Sequence, residues 1–316
     1  MLILFAAVLC PFSCDLAEDD SDCFENMEIT FRFTKNGQDR FGVEVSSIDL
    51  FVFDERGLYV GRWVEHDNTK FATGTYKMVI PLRAGTYSCV AWGGMKNGHY
   101  LLYDTDHRTP ETVAGETGMD YMLLRARDGS RAREIDYRPT DLFYGNAPGI
   151  VLDKRLPGSK TEVVIDLVKN SKQVDFRITG LPLPTRANRF TNIDVALASA
   201  NGGYTFMNDY ETPPTTTIYN AVNADTDADG VYYSTVHTFR MNFGREIALK
   251  VLNMENNEEI ISADLLEDFI SKAPQYRTQA AIDAEDYFLV EIMLDSALGF
   301  SVIVNGWEVN TSGTGI

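Results

Sequence analysis

Positive charge is in short supply in this chain. Lys and Arg number 28 against 46 Asp and Glu, for a net charge of −18. Phosphate contacts need clustered Lys and Arg, so this balance argues against a nucleic-acid binder. A spanning helix needs ~20 apolar residues, and the apolar run Leu2–Leu9, "LILFAAVL", falls far short of that. Histidine is rare, and His66, His99, His107 and His237 are scattered with no metal-ligand spacing. No Gly-x-Ser-x-Gly elbow and no Gly-x-x-x-x-Gly-Lys loop occurs anywhere. "GGMKNGH" from Gly93 is glycine-rich but lacks the helix-opening pattern that aims amides at phosphate. Acidic pairs abound, yet at this charge balance chance supplies them. Nothing nominates an enzyme.

Cysteine is scarce as well, and its placement is informative. Of four, Cys10 and Cys14 stand just behind the apolar run, Cys23 follows, and Cys89 lies in a strand-like segment. A secretory signal carries an apolar stretch of roughly 7 to 15 residues and a small residue at the cleavage site. Leu2–Leu9 fits that length, and Ser13 precedes Cys14. The expected basic residues are missing, since no Lys or Arg precedes Arg32, so the signal is atypical or, the favoured reading, the start codon is placed too late. Signal plus cysteine predicts a lipoprotein, with residues 1–13 removed and Cys14 lipidated. Cys10 is the rival, but it follows the bulky Leu9. An ordinary cleaved signal with an incidental cysteine is the alternative. Multiple acyl chains on Cys14 would anchor the protein to a membrane without a spanning helix. Cys89 reads as a small buried hydrophobe, and a Cys23–Cys89 disulfide is the other option in an oxidising compartment.

Behind Cys14, "DLAEDDSDCFE" concentrates acid. Such a block repels itself and stays solvated, so residues 14–26 form a lipidated acidic tether. The pattern resembles the export signal of surface lipoproteins in Bacteroides-type bacteria.

From Met27 onward period-two alternation dominates. Ile29, Phe31 and Phe33 alternate with Glu28, Thr30 and Arg32, and Val174, Phe176 and Ile178 repeat the pattern. "SIDLFVFDERGLYVGRWV" reads as two strands joined at Asp54–Gly57. Residues between Gly93 and Gly158 are less regular and read as long connections carrying short strands. One helix is expected in "ADLLEDFISKA", where Leu265, Leu266, Phe269 and Ile270 share a helical face and Pro274 closes it. Two sets of antiparallel strands predict an all-β protein of two tandem β-sandwich domains, 27–169 and 170–316, with one short helix in the second.

Three further stretches suggest chemistry. "DTDADG" places Asp225, Asp227 and Asp229 at the opening spacing of a calcium loop, but Val236 stands where the closing Glu belongs. A solvated acidic turn is the alternative. "RARDGSRARE" gathers Arg125, Arg127, Arg131 and Arg133, a protease-sensitive loop or a basic contact patch, with a solvated loop as the alternative. Tyr204, Phe206, Tyr210 and Tyr219 could form a sugar-stacking platform, or tuck a loop against its own sheet.

The ordered set "SIDLFVFDERGLYV", "GTYSCVAWGG", "DLFYG", "VIDLVKNSKQVDFRITGLP" and "GFSVIVNGWEV" resembles the FimB-type fimbrial anchor subunit family of Bacteroides-type bacteria. That resemblance implies a lipidated outer-membrane protein of two transthyretin-like β-sandwiches, exposed at the cell surface, which holds a fimbrium to the cell and helps limit its length. The implied partners are a fimbrial stalk subunit and, through Cys14, the outer membrane, with no cofactor. Fimbrial subunits join by strand addition, so Phe300, Val302 and Val304, or Trp307 and Val309 beyond them, are the expected contact. The alternative is that they only complete the second sandwich. Related stalk subunits lose a first strand to an Arg-specific protease. Arg32 and Arg40 lie near that region, and an anchor subunit is expected to keep the strand. A surface glycan-binding lipoprotein is the competing class.

Overall fold

The computed structural model describes residues 24–104, 112–153, 160–181, 193–255, 257–295 and 299–309. Cys14, Cys23, the signal, most of the tether and His107 lie outside the described residues. The architecture is all-β, with mostly antiparallel sheets and short helical turns.

Alternation works as expected in the first strand, Phe24–Arg32, which buries Met27, Ile29 and Phe31. It occupies the centre of a three-stranded sheet. Lys160–Asp166 runs parallel on one side and Met78–Arg83 antiparallel on the other. A five-stranded sheet faces it, in the order Val168–Lys169, Phe143–Leu152, Gly85–Gly93, Ile48–Asp54, Tyr59–Glu65. Between the two sheets lies one core, where Ile29 and Phe31 meet Leu50, Val52, Cys89, Ala91 and Ile165.

Ile48–Asp54 is buried continuously as far as Phe53. The reason is that both faces of its sheet are covered. Leu50 and Val52 enter the core just described, whereas Phe51 and Phe53 join Val90 and Trp92 in a second, larger core. A run apolar on every residue is what a strand covered on both faces requires.

That larger core continues between two further sheets. One runs Glu134–Ile135, Thr217–Asn220, Ile193–Ser199, Ile247–Asn253, Glu258–Asp264. The other has six strands in the order Val222–Thr226, Tyr232–Phe239, Ser171–Thr179, Tyr287–Leu294, Phe300–Val304, Trp307–Val309. Val174, Phe176 and Ile178 project between them with Val195, Leu249 and Ile292. A three-stranded sheet of Gly203–Thr205, Met122–Ala126 and Tyr100–Asp104 lies alongside. Pairings therefore cross Asn170: Met122–Ala126 bonds to Gly203–Thr205, and Glu134–Ile135 to Thr217–Asn220.

The helix expected over 263–273 takes another form. Asp264 ends a strand, and its carboxylate accepts from the backbone N–H groups of Leu266 and Glu267. A wide π-type turn, Leu265–Phe269, follows, and then a 3-10 turn, Ile270–Lys272. Leu265, Leu266, Phe269 and Ile270 are buried as their spacing predicts. Ala273, extended before Pro274, stops any continuation. The short α-helix of this region comes later, at Gln279–Ala284, capped by the Thr278 side chain on Ala281 N–H.

Candidate subunit interface

The strand Phe300–Val304 lies inside its sheet, bonded to Tyr287–Leu294 on one flank and Trp307–Val309 on the other. Asn305 and Gly306 join it to the last strand with φ of 47° and 82°. Left-handed backbone at both central residues is the requirement of a tight hairpin turn, which Asn-Gly meets at least cost. Asn305 also locks the turn to the neighbouring strand: its Oδ1 accepts from Leu289 N–H at 2.6 Å, and its Nδ2 donates to Tyr276 Oη at 2.6 Å. This Asn-Gly, between "SVIV" and "WEV", was a legible turn signal that the strand reading passed over.

The five residues expected at the contact separate into two kinds. Val302, Val304 and Val309 are buried core side chains, with Val302 opposite Val309. Phe300 is half-buried, its ring edge-on to Phe269 at 5.9 Å. Only Trp307 is largely open, at 51% exposure, on the outermost strand. Phe300–Val304 has both ladder flanks occupied, so Trp307–Val309 alone offers an open flank at this end of the sheet among the described residues. An uncovered flank with an exposed indole can take an added strand.

Other sequence candidates resolve differently. Asp225, Asp227 and Asp229 do not converge, and no group of three metal-binding side chains exists among the described residues. Asp227 instead organises a hairpin turn: its Oδ1 accepts from Asp229 N–H at 3.0 Å and Val231 N–H at 2.9 Å. Asp225 sits in the preceding strand, its carboxylate turned back to Thr226 N–H. Short carboxylates prefer nearby backbone donors, and that preference shapes the acidic turn here.

Tyr204, Phe206, Tyr210 and Tyr219 are buried. Tyr204 stacks on Tyr210 at 5.5 Å, Phe206 packs on Trp92 and Phe51, and Tyr219 donates to Asn201 Oδ1 at 2.7 Å. They form no platform for sugar. Burial pushes the hydroxyls of Tyr204 and Tyr219 well above the usual phenol range. Cys89 is a buried free thiol, and burial raises it to about 12, leaving it inert. Arg125 is no free cation: it ion-pairs with the buried Glu211 and donates to Thr215 Oγ1 at 3.2 Å. Of the two arginines near the first strand, Arg32 is exposed, while Arg40 is half-buried and paired with Glu44 at 3.2 Å.

A cluster without a sequence signal surrounds Asn170. Arg240 grips Asp283 through two bonds of 3.0 and 2.8 Å, and Lys35 pairs with Asp286. Lys172 buries its ammonium against the carbonyls of Asp283 and Glu285. Burial lowers it to about 8. Above this cluster opens a cleft of about 540 Å³, walled by segments from both halves of the chain.

Comparison with known proteins places this geometry. The family model of fimbrillin-A associated anchor proteins Mfa1 and Mfa2 matches residues 19–313. The fimbrial anchor protein Mfa2 of Porphyromonas gingivalis superposes with a TM-score of 0.74 at 21% identity, covering 92% of this chain and 100% of that one. A candidate polysaccharide-binding protein of Bacteroides thetaiotaomicron gives 0.76 at 19% identity, covering 93% and 99%. A candidate adhesin of Bacteroides ovatus gives 0.74 at 15%, covering 92% and 97%. These likenesses show a shared fold. No curated protein sequence matches the chain.

Proposed function

The chain belongs to the family of fimbrillin-A associated anchor proteins Mfa1 and Mfa2, and from that membership we propose that it is an anchor or accessory subunit at the base of a fimbrium. The observation that carries this reading is the extent of the family match, 19–313, which takes in every sheet of the fold. The family name shares with the FimB-type resemblance the role of a fimbrillin-associated anchor. On this reading, lipid on Cys14 holds the protein at the surface of the outer membrane, and residues 14–26 are its solvated tether and address. Residues 27–169 and 170–316 are two transthyretin-like sandwiches, joined by the strand pairings that cross Asn170.

The stalk subunit docks at the outermost strand, Trp307–Val309, by strand addition. That strand supplies the open flank, Trp307 the side-chain contact, and Val302, Val304 and Val309 the rigid core beneath. A cap seated there would also help limit fimbrial length. On the anchor reading the first strand stays in the mature protein. Burying Met27, Ile29 and Phe31 contributes about 1.5–3 kcal/mol each, and their strand completes two ladders. A protein that lost it would have to take up a replacement strand, whereas an anchor has reason to keep it.

Intact-mass and membrane-fraction analysis of the native protein beside Cys14→Ala tests the reading. An acylated N-terminus at Cys14, with fimbriae shed into the medium by the variant, is the expected result. A mature N-terminus beginning after Arg40 would instead mark a stalk or tip subunit.

A further inference from the structure

The cleft of about 540 Å³ beside Asn170 belongs to no part of the edge-strand contact. Its volume lies in the range of roughly 300–1,000 Å³ typical of sites that enclose a ligand. We infer that it seats a short, extended, uncharged peptide segment of a partner subunit, held mainly through main-chain hydrogen bonds. The inference rests on the anchor reading only in taking that partner to be a fimbrial subunit.

Charge argues first. The cations lining the cleft are already committed: Lys35 to Asp286, Lys169 to Asp141 at 2.9 Å, and Arg240 to Asp283. An anionic ligand therefore finds no uncommitted cation. Against these three cations the lining sets three carboxylates, Asp166, Asp283 and Asp286, so it carries no net charge to select a charged ligand, and beside the exposed Asp166 it offers a set of side-chain amides, Asn36, Asn146, Asn170 and Asn208. An amide presents a donor and an acceptor together, the complement of a peptide group.

Asn170 adds an independent sign. It is fully buried and donates to Asn208 Oδ1 at 2.5 Å, yet its own Oδ1 has no partner. A buried acceptor left unmade is costly, and a ligand N–H is the group that would satisfy it. The backbone agrees. The ladder between Phe143–Leu152 and Val168–Lys169 covers only Phe143 and Tyr144. Beyond them Gly145 and Asn146 line the cleft with no further ladder pairing on that flank among the described residues. Val168, 51% exposed, supplies an aliphatic wall for a side chain. Sugar is the poorer fit, because the rings that line the cleft, Phe33 and Tyr144, are buried and present no open face.

A photo-crosslinking amino acid placed at the exposed Asn146 of the full-length protein, in its native cell, tests this. A crosslink to a fimbrial subunit, mapped by mass spectrometry to a segment without charged residues, is expected. Asn146→Trp, which fills the mouth, should then cut retained fimbriae by about tenfold, the effect of ~1.4 kcal/mol, with an unchanged melting temperature. No crosslink from Asn146, or one to a charged segment or a glycan, overturns the inference. Deletion of the whole protein separates the two claims. If deletion detaches fimbriae while Asn146 captures nothing, the cleft assignment fails and the anchor reading stands. If fimbriae stay attached without the protein, and Asn146 captures an uncharged segment of another protein, the anchor reading fails and the cleft stands.

Discussion

Lys172 allows the seam to be tested by titration. Its ammonium is fully buried, donating to Asp283 O at 2.8 Å and to Glu285 O, with Asp286 Oδ1 at 3.9 Å. Burial lowers its pKa from the ordinary 10.5 to about 8. Between those values the unfolded chain holds a proton that the folded chain has released, so folding stability rises with pH across this window. From pH 7 to pH 10 the gain from this one group is about 2–3 kcal/mol. Lys172→Met removes the titration while keeping most of the side-chain volume. At pH 7 the substitution relieves the buried charge but leaves two carbonyls without a donor, at about 1–3 kcal/mol each, so little net change is expected there. The contrast appears at high pH. Urea unfolding of both proteins at pH 7, 8, 9 and 10 should show the difference, wild type minus variant, growing by about 2–3 kcal/mol, a shift in midpoint of roughly 1 M. Other titrating groups cancel in that difference. A difference that stays flat, or shrinks as pH rises, refutes the placement of a charged lysine in this seam.

Glu211→Ala should destabilise the protein by about 3–5 kcal/mol in the same assay, because it strands Arg125 beside the strand pair that crosses Asn170. A loss below ~1 kcal/mol, the scale of an exposed pair, would mean that the bridge is solvated. Gly306→Ala meets no atom within 4 Å but must hold φ at 82°. It should therefore cost about 1–2 kcal/mol from left-handed backbone alone, and an unchanged stability would argue against the tight turn. Adding calcium to chelator-treated protein should leave the melting temperature where it was, since Asp227 already caps its own turn. A rise with calcium concentration, as a bound ion would produce, would contradict that geometry.

Much of the strand content was legible because burial on one face imposes a repeat of two. Ile29, Phe31 and Phe33, or Val174, Phe176 and Ile178, announce their buried face without reference to any partner. Where that condition fails, so does legibility. "DLFVFD" carries no alternation because its sheet is covered on both sides, and only the fold assigns Phe51 and Phe53 to one core and Leu50 and Val52 to the other. Leu265, Leu266, Phe269 and Ile270 declared their burial by helical spacing, but Asp264 and Pro274 hold them in a π-type and a 3-10 turn instead of one regular helix. Of the residues expected at the subunit contact, the valines were apolar for the sake of the core, and the sequence cannot tell that use of an apolar side chain from a contact surface. Tyr204 and Phe206 carried the same ambiguity and resolved toward the interior.

What the sequence determined by itself is local: the period-two faces and the turn at Asn305–Gly306. Each depends on neighbours a few residues away, and short-range chemistry suffices to specify it. Tertiary structure alone decided which strand stands at the edge of its sheet, and which amides meet around Asn170. An open flank exists only once every other ladder partner has been assigned, and those partners lie far apart in the chain: Phe24–Arg32 with Lys160–Asp166, Ser171–Thr179 with Tyr287–Leu294. The cleft joins segments near residues 35, 146, 168, 208, 240 and 285. No local pattern encodes their meeting, because it follows from the packing of two cores against each other.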